Sequence, residues 1–485
     1  MSLVRALAWN TGVQMIGKVA STALGVVIVG LLTRYLGQEG FGAYATATAF
    51  LQVFTLVLDL GLNVTFVALL GEHADDPTYE RRCSSALFTL RLISGLAITV
   101  LAPAIGWLSP YPSSIKWAIL ALTGSLLFPS LTQMVTGVQQ RHLKMHIAAT
   151  GEVLGRITLL AGILFAKYLG VGLVPIMWFV SLGGFVNFAW NLFFTRAYGS
   201  FAWNWDPKFW KIALTRSWPI GVSILFNLIY FKADTLILSF TRSQAEVGIY
   251  SAAYRVLEIL ITIPFMYAGL VLPLLSRARQ TRDNARFAFL MSHSTDAMLL
   301  LALPMVAGTV ILGPRIMVLI AGAQFIASGS VLKLLIISTG IIYLNVVFAH
   351  GVVALQAQRK MLPIYIATAL VTLAGYLLFI PRYGMWAAAW LTLFSEICVT
   401  SGSYLISRSF VRYAPHLKPA MAGCVASILM SIVVWMLRAS WLPIPLSAGA
   451  LVYVVFVFLL GGVSKKTLQE LLPPKNTQPL ETPMV

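Results

Sequence analysis

Charge is scarce in this chain. Only 10% of its 485 residues are Asp, Glu, Lys or Arg, against about 25% in a soluble domain, and just 16 are acidic. So thin a polar coat cannot keep in water a chain that is 59% hydrophobic with a mean hydropathy of +0.84. A water-soluble globular fold is thereby excluded. Cysteine is nearly absent: Cys83, Cys398 and Cys424 stand alone, with no C-x-x-C, so neither a disulfide framework nor a metal knuckle is expected. The histidines give one close pair, His142 and His146, at the start of an apolar run, where an interfacial role is favoured over metal ligation. The loops expected on the outer face are short and none holds a carboxylate cluster, which argues against the catalytic platform of a membrane glycosyltransferase or polymerase. Gly12-x4-Gly17-Lys18 resembles a phosphate loop, but Val19 stands where Ser or Thr should bind magnesium, so no nucleotide cofactor is expected. Asn63-Val64-Thr65 has the form of a glycosylation acceptor but lies inside an apolar run.

What the chain has in quantity is apolar runs. Stretches long enough to cross about 30 Å of hydrocarbon lie near 10–35, 41–71, 84–107, 115–138, 145–167 and 172–195. Eight more lie near 209–240, 246–276, 289–312, 329–355, 361–380, 384–407, 419–437 and 443–463. They predict an all-α polytopic membrane protein with fourteen transmembrane helices. Only Arg5 precedes the first run, which outlasts a signal-peptide core and has no small-residue cleavage site, so it is expected to be retained. The loops test the count, because an error of one span moves every later loop across the membrane. With both ends cytoplasmic, the inner segments carry about three times as many Lys and Arg as the outer loops. The outer loops hold one each: Arg34, Lys116, Lys167, Arg242, Arg315, Arg382 and Arg438. The net charge of +18 therefore reports topology and not a nucleic-acid partner.

The chain also repeats itself. Gly42-Ala43-Tyr44-Ala45-Thr46-Ala47 matches Gly248-Ile249-Tyr250-Ser251-Ala252-Ala253, and Gly172-x5-Trp178 matches Gly384-x5-Trp390. Six spans separate the copies, an even number, so the halves share one orientation and are related by an axis along the membrane normal. Two pseudo-symmetric six-helix bundles are expected, at 1–197 and 212–410, joined by a cytoplasmic linker at 198–211. An accessory helix pair at 411–463 and a disordered cytoplasmic tail at 464–485 follow.

The second copy lies in a hairpin whose residues Asp234-Thr235, Val247-Gly248-Ile249-Tyr250, Ala252-Ala253, Pro273 and Ser276 resemble the flippase branch of the multidrug/oligosaccharidyl-lipid/polysaccharide exporter superfamily. That branch includes the O-antigen and capsular polysaccharide flippases. The resemblance implies a non-enzymatic protein of the bacterial cytoplasmic (inner) membrane. It would move a polyprenyl-diphosphate-linked oligosaccharide across the bilayer by alternating access, for O-antigen, capsule or exopolysaccharide synthesis, with polysaccharide polymerase and chain-length machinery as partners. A flippase for the lipid-linked peptidoglycan precursor, a cation-coupled drug exporter and a transport-inactive scaffold stay open beside it.

The candidate site residues are the ionisable ones at membrane depth. The cations are Lys18, Arg91, Arg156, Lys232 and Arg255; the carboxylates are Asp59, Glu152, Asp234, Glu258 and Glu396. An uncompensated charge near the bilayer centre costs roughly 2.5 to 3.5 kcal/mol, so each must face protein or water. Glu152 with Arg156 (i, i+4) and Arg255 with Glu258 (i, i+3) share helix faces and invite pairing. Lys18 and Arg91 have no such neighbour and are expected to line a cavity. Together the five cations predict a cleft suited to a diphosphate, with the carboxylates as coupling or salt-bridge groups.

Overall fold

The computed structural model describes residues 3–73 and 76–462, and the expected tail lies outside the described residues. Every regular element among them is helical. Among the described residues eleven helical segments are long and apolar enough to cross a membrane, so the chain is an all-α multi-pass membrane protein. Its outward side chains agree with a lipid solvent: Val100, Trp178, Leu370 and Leu451 are exposed, an arrangement that water would penalise.

The chain folds into two compact units. The first comprises residues 1–259, 317–331 and 362–395; the second comprises 260–316, 332–361 and 396–485.

In the first unit, α1 (Leu3–Asp59) is two helices that meet at Gly37, whose φ of 69° and ψ of −173° only glycine adopts without strain. Then follow α2 (Leu62–Glu72), α3 (Pro77–Leu108), α4 (Ser113–Ala121), α5 (Gly124–Arg141), α6 (Met145–Tyr168), α7 (Leu173–Thr195), α8 (Pro207–Thr241) and α9 (Gln244–Leu260). One core joins Phe50 and Leu51 of α1 to Ile98 of α3, Ile119 of α4 and Leu126 of α5. A second joins Phe66 of α2, Leu87 of α3 and Val135 of α5 to Phe209 and Ala213 of α8.

The segment expected as a polar linker is a strap held along α3. Ser85 Oγ donates to the Ser200 carbonyl at 3.1 Å, the Asn204 N–H donates to Thr89 Oγ1 at 2.9 Å, and Trp210 Nε1 donates to the Ala86 carbonyl at 2.8 Å. Asp-Pro dipeptides start both α3, along which the strap lies, and α8, which follows it. Asp76 accepts from the Thr78 and Tyr79 N–H groups ahead of α3, and Asp206 accepts from the Phe209 N–H ahead of α8, with the following proline preset for the first turn. Asp206 also receives Arg82 at 2.6 Å. The Phe209 N–H, helped by Arg82, holds its carboxyl below the ordinary range. Its contribution to stability is therefore complete above about pH 3.9 and is lost only as pH falls through the lower folded value.

The two repeat motifs touch. A Cβ placed on Gly42 would stand 1.7 Å from the Gln244 carbonyl oxygen, and one on Gly248 would stand 2.0 Å from the Gln38 carbonyl oxygen. Each glycine thus lies against the residue four positions before the other, and the repeat forms a reciprocal backbone crossing between α1 and α9. No side chain fits there. Thr46 Oγ1 donates to Gln244 Oε1 at 2.7 Å beside it.

The second unit holds α10 (Thr262–Gln280), most of α11 (Asn284–Ala321) and α12 (Ser328–Ala354), parts of α13 (Gln358–Tyr383) and α14 (Met385–Phe410), and α15 (Leu417–Met436) and α16 (Pro443–Leu459). Prolines decide two of its contacts. Pro264 has no N–H to give the Leu260 carbonyl, which breaks the expected 246–276 span into α9 and α10. That carbonyl accepts the Tyr343 hydroxyl at 3.0 Å. Pro304 likewise frees the Leu300 carbonyl in α11, and the Tyr453 hydroxyl of α16 donates to it at 2.6 Å. The orphaned backbone groups are satisfied from neighbouring helices, as a lipid solvent requires. Leu312 of α11 packs with Met430, Val434 and Val457, so α15 and α16 dock on α11.

Two results are expected. Gly42→Ala and Gly248→Ala each lower thermal stability in detergent by the equivalent of about 1 to 3 kcal/mol or more. Gly269→Ala, which meets nothing within 4 Å, leaves the transition in place or raises it; equal behaviour of all three variants would refute the crossing. Tyr453→Phe strands the Leu300 carbonyl and lowers stability by about 1 to 2 kcal/mol, read in the same melting assay.

Candidate functional site

Among the described residues, two groups of two cations around one carboxylate lie in the first unit. In the first group Glu152 of α6 stands between Lys18 of α1, at 3.7 Å, and Arg156, at 3.8 Å. Ser21 ties the group together: its hydroxyl donates to Glu152 Oε1 at 2.6 Å and accepts from Arg156 Nε at 2.5 Å. Gly25 lets the guanidinium lie against α1, since a Cβ there would come within 2.9 Å of Arg156 Nη1. Lys18 and Arg156 keep 50% and 38% of their side chains exposed.

In the second group Glu258 of α9 accepts from Lys232 Nζ of α8 through Oε1 and from Arg255 Nη1 through Oε2 at 2.7 Å. The Lys232 ammonium also stands over the Tyr254 ring, 4.9 Å from its centroid. These side chains line a small pocket with Thr48 and Gln52 of α1 and Thr235 and Ser251. Its walls come from three helices and its formal charge is positive, two cations against one carboxylate. Ala45 and Ala49 of α1 complete the lining of a space of about 20 Å³, enough for about one water, so a larger group enters only if α1 and α9 move apart.

The structure thus forms both expected helical pairs, and it gives Lys18 a carboxylate from a distant helix that spacing along α1 does not reveal. Arg91 is different. The expectation that it lines a cavity gives way to a buried staple: its side chain is 1% exposed, with Nη2 2.6 Å from Asp59 Oδ1 and Nη1 donating to the Leu58 carbonyl at 2.6 Å. It ties α3 to the end of α1. Asp234 is also buried and structural, accepting the Tyr250 hydroxyl at 2.5 Å and the Thr235 hydroxyl at 3.1 Å. Glu396, in the second unit, is 1% exposed, and neither of its oxygens has a hydrogen-bond partner among the described residues. Sequence reasoning missed Ser21, Tyr254 and Gln52. Ser21 had a signal, because it follows Lys18 by three residues on one helix face; the other two become site residues only through packing.

The family model described as "Polysaccharide biosynthesis protein" matches residues 7–279. "Probable flippase AglR" of Haloferax volcanii is 23% identical, over 96% of this chain and 98% of its own length. "Succinoglycan biosynthesis transport protein ExoT" of Rhizobium meliloti is 23% identical over 69% of this chain and 66% of its own length. Among solved structures, the lipid II flippase MurJ in an inward closed conformation superposes with a TM-score of 0.79 at 15% identity, over 92% of this chain and 98% of its own. An inward-facing multidrug resistance MATE family transporter of the MOP superfamily superposes with a TM-score of 0.70 at 16% identity, over 83% and 97%. The fold is therefore shared with both.

Removing the shared carboxylate is expected to expose the electrostatics of the second group. Glu258→Gln leaves Lys232 and Arg255 uncompensated and lowers stability by about 3 kcal/mol. Adding Arg255→Ala recovers part of that loss, because one cation then remains in place of two; thermal unfolding of the two variants in detergent measures the difference, and no recovery contradicts the pairing.

Proposed function

The chain belongs to the polysaccharide biosynthesis protein family, and from that premise we propose that it is a flippase moving a polyprenyl-diphosphate-linked oligosaccharide from the inner to the outer leaflet for surface polysaccharide synthesis. The observation that carries the reading is the family match over more than half the chain, extended to nearly full length by the flippase relative. The pocket around Glu258 supports it chemically. A positively charged pocket suits a diphosphate and disfavours a cationic drug.

Glu258 acts as a stand-in for the substrate. While the pocket is empty it neutralises Lys232 and Arg255 in a site of low dielectric, where two bare cations repel strongly. When the diphosphate arrives, the two cations exchange one acceptor for another without crossing an uncompensated state. Lys18, Glu152, Arg156 and Ser21 offer the same exchange in a second place. The protein does no covalent chemistry in this scheme, so it is no enzyme; movement follows from different affinities of two conformations for the same head group. Glu396, a buried carboxylate without a bonded partner among the described residues, takes the coupling ion.

The helices support a fourteen-span layout of two six-helix bundles, the strap as the cytoplasmic linker, and α15 and α16 as an accessory pair. Gly12–Glu72 breaks at Gly37 and counts twice, while Pro207–Thr241 and the shorter Pro443–Leu459 complete the set. Both ends are then cytoplasmic, in the inner membrane of a bacterium. A polysaccharide polymerase and chain-length machinery are the partners that would consume the product.

In a strain lacking the chromosomal copy, at matched protein levels, Arg255→Ala is expected to lower surface polysaccharide at least tenfold and Arg255→Lys less, because a point charge replaces a bidentate fork. Adding Glu258→Gln to Arg255→Ala does not restore it; restoration would reduce the pair to a structural role. Glu396→Gln removes a buried unpaired carboxylate, so it is expected to keep or raise stability while abolishing complementation. Cysteines replacing Lys116, Arg242 and Arg382 should react with an impermeant thiol reagent from outside, while those replacing Arg141, Arg282 and Arg359 do not. Equal labelling of both sets contradicts the topology.

A further inference from the structure

A larger cavity lies far from this chemistry in sequence and has no part in it. It has a volume of about 520 Å³ and is lined by Arg81 and Phe88 of α3, Leu192 of α7, Arg196 just beyond α7, and Tyr198 and Phe201 of the strap. Its size falls within the range of about 300 to 1,000 Å³ typical of small-molecule sites.

Three features set the chemistry of its occupant. The first is unsatisfied charge. Three other cations already have partners: Arg82 with Asp206, Arg141 with Glu80 at 2.9 Å, and Lys144 over the Tyr198 ring at 5.3 Å. The guanidinium groups of Arg81 and Arg196, the two basic residues of the lining, have no hydrogen bond or ion pair to another described residue. The second is a divided lining. Phe88, Leu192 and Phe201 make an apolar wall, while the two guanidinium groups and the strap backbone make a polar one. The third is depth. Trp203 and Trp205, next along the strap, are 65% and 61% exposed, as expected of tryptophans anchored at the membrane–water boundary where lipid head groups lie.

We propose that this cavity binds the phosphate-bearing head group of a membrane lipid, with Arg81 and Arg196 as its paired phosphate ligands and the Phe88–Leu192 wall against the first carbons of the lipid tail. Two unpaired arginines suit phosphate better than a carboxylate-bearing or neutral ligand, since their forked donors match its oxygens. The inference goes beyond the flippase reading and does not need it. A resident anionic phospholipid and the diphosphate end of a lipid-linked sugar awaiting translocation present this same chemistry.

The test uses the purified full chain in neutral detergent, titrated separately with phosphatidylglycerol and with farnesyl diphosphate, and bound lipid is counted by native mass spectrometry. The Arg81→Gln/Arg196→Gln variant, whose substitutions lie on exposed side chains, is expected to melt with wild type and to bind at least one probe about tenfold more weakly. Weakening of phosphatidylglycerol alone assigns the cavity to a phospholipid, weakening of farnesyl diphosphate alone assigns it to the substrate head group, and weakening of both assigns it to either. Ala197→Trp, which fills the cavity without altering charge, should weaken the same probe. Undiminished binding of both probes overturns the proposal. So does an equal loss in Arg277→Gln/Arg279→Gln, because diffuse positive charge would then explain the binding.

Discussion

The reciprocal crossing of Gly42 and Gly248 is the constraint on which the pocket around Glu258 depends. Two helices that carry the same motif approach until backbone meets backbone, and each motif excludes a side chain from the other. The consequence reaches the site directly. Asp234 is held by Tyr250, two residues beyond Gly248, and Lys232 sits two residues before Asp234. Arg255 and Glu258 continue the same helix from Tyr250. The crossing therefore sets where α9 stands against α1, and hence the width of the pocket that Thr48 and Gln52 close from the α1 side. A motif that resembles a family signature is at bottom a packing device with the candidate site residues attached at fixed helical spacing.

Much of this is legible in the amino-acid sequence itself. Apolar length and the sparing use of charge predict an all-helical membrane protein, and Gly42-x-Tyr44 returns as Gly248-x-Tyr250, both copies lying in the first unit. What the repeat cannot reveal is that its copies touch, because contact between distant segments leaves no trace in the periodicity of either. Helix breaks are hidden for a related reason. Pro264 sits in an unbroken apolar run, and whether it kinks or ends the helix depends on Tyr343, which supplies the missing hydrogen bond from far along the chain.

The site is legible in part. Spacing alone suggests Arg255 with Glu258 and Glu152 with Arg156, because i, i+3 and i, i+4 neighbours share a face. Spacing cannot find the third member of either group, Lys232 or Lys18, each delivered by another helix. Arg91 misleads for the same reason: it lacks an acidic neighbour on its own helix, and its partner Asp59 lies at the end of α1. The linker is legible by composition but its course is not. Its polar residues mark it as a linker, but they do not reveal that Ser200 and Asn204 find hydrogen bonds on α3.

Intramembrane charge follows one rule in the first unit. None of the five candidate cations stands bare: Arg91 is consumed by Asp59, whereas Glu152 and Glu258 are each shared by two cations and leave a positive remainder. A one-to-one pair leaves no net charge, whereas each two-to-one group keeps the positive remainder on which the proposed head-group binding rests. The most direct measurement of that account is lipid translocation in vesicles containing only the purified protein and a fluorescent polyprenyl-diphosphate oligosaccharide. The account predicts transfer between leaflets that is faster than in protein-free vesicles, is retained by Arg91→Lys in a folded protein, and is lost in Lys232→Ala/Arg255→Ala. Transfer no faster than in empty vesicles, or unchanged by the loss of both cations around Glu258, would contradict it.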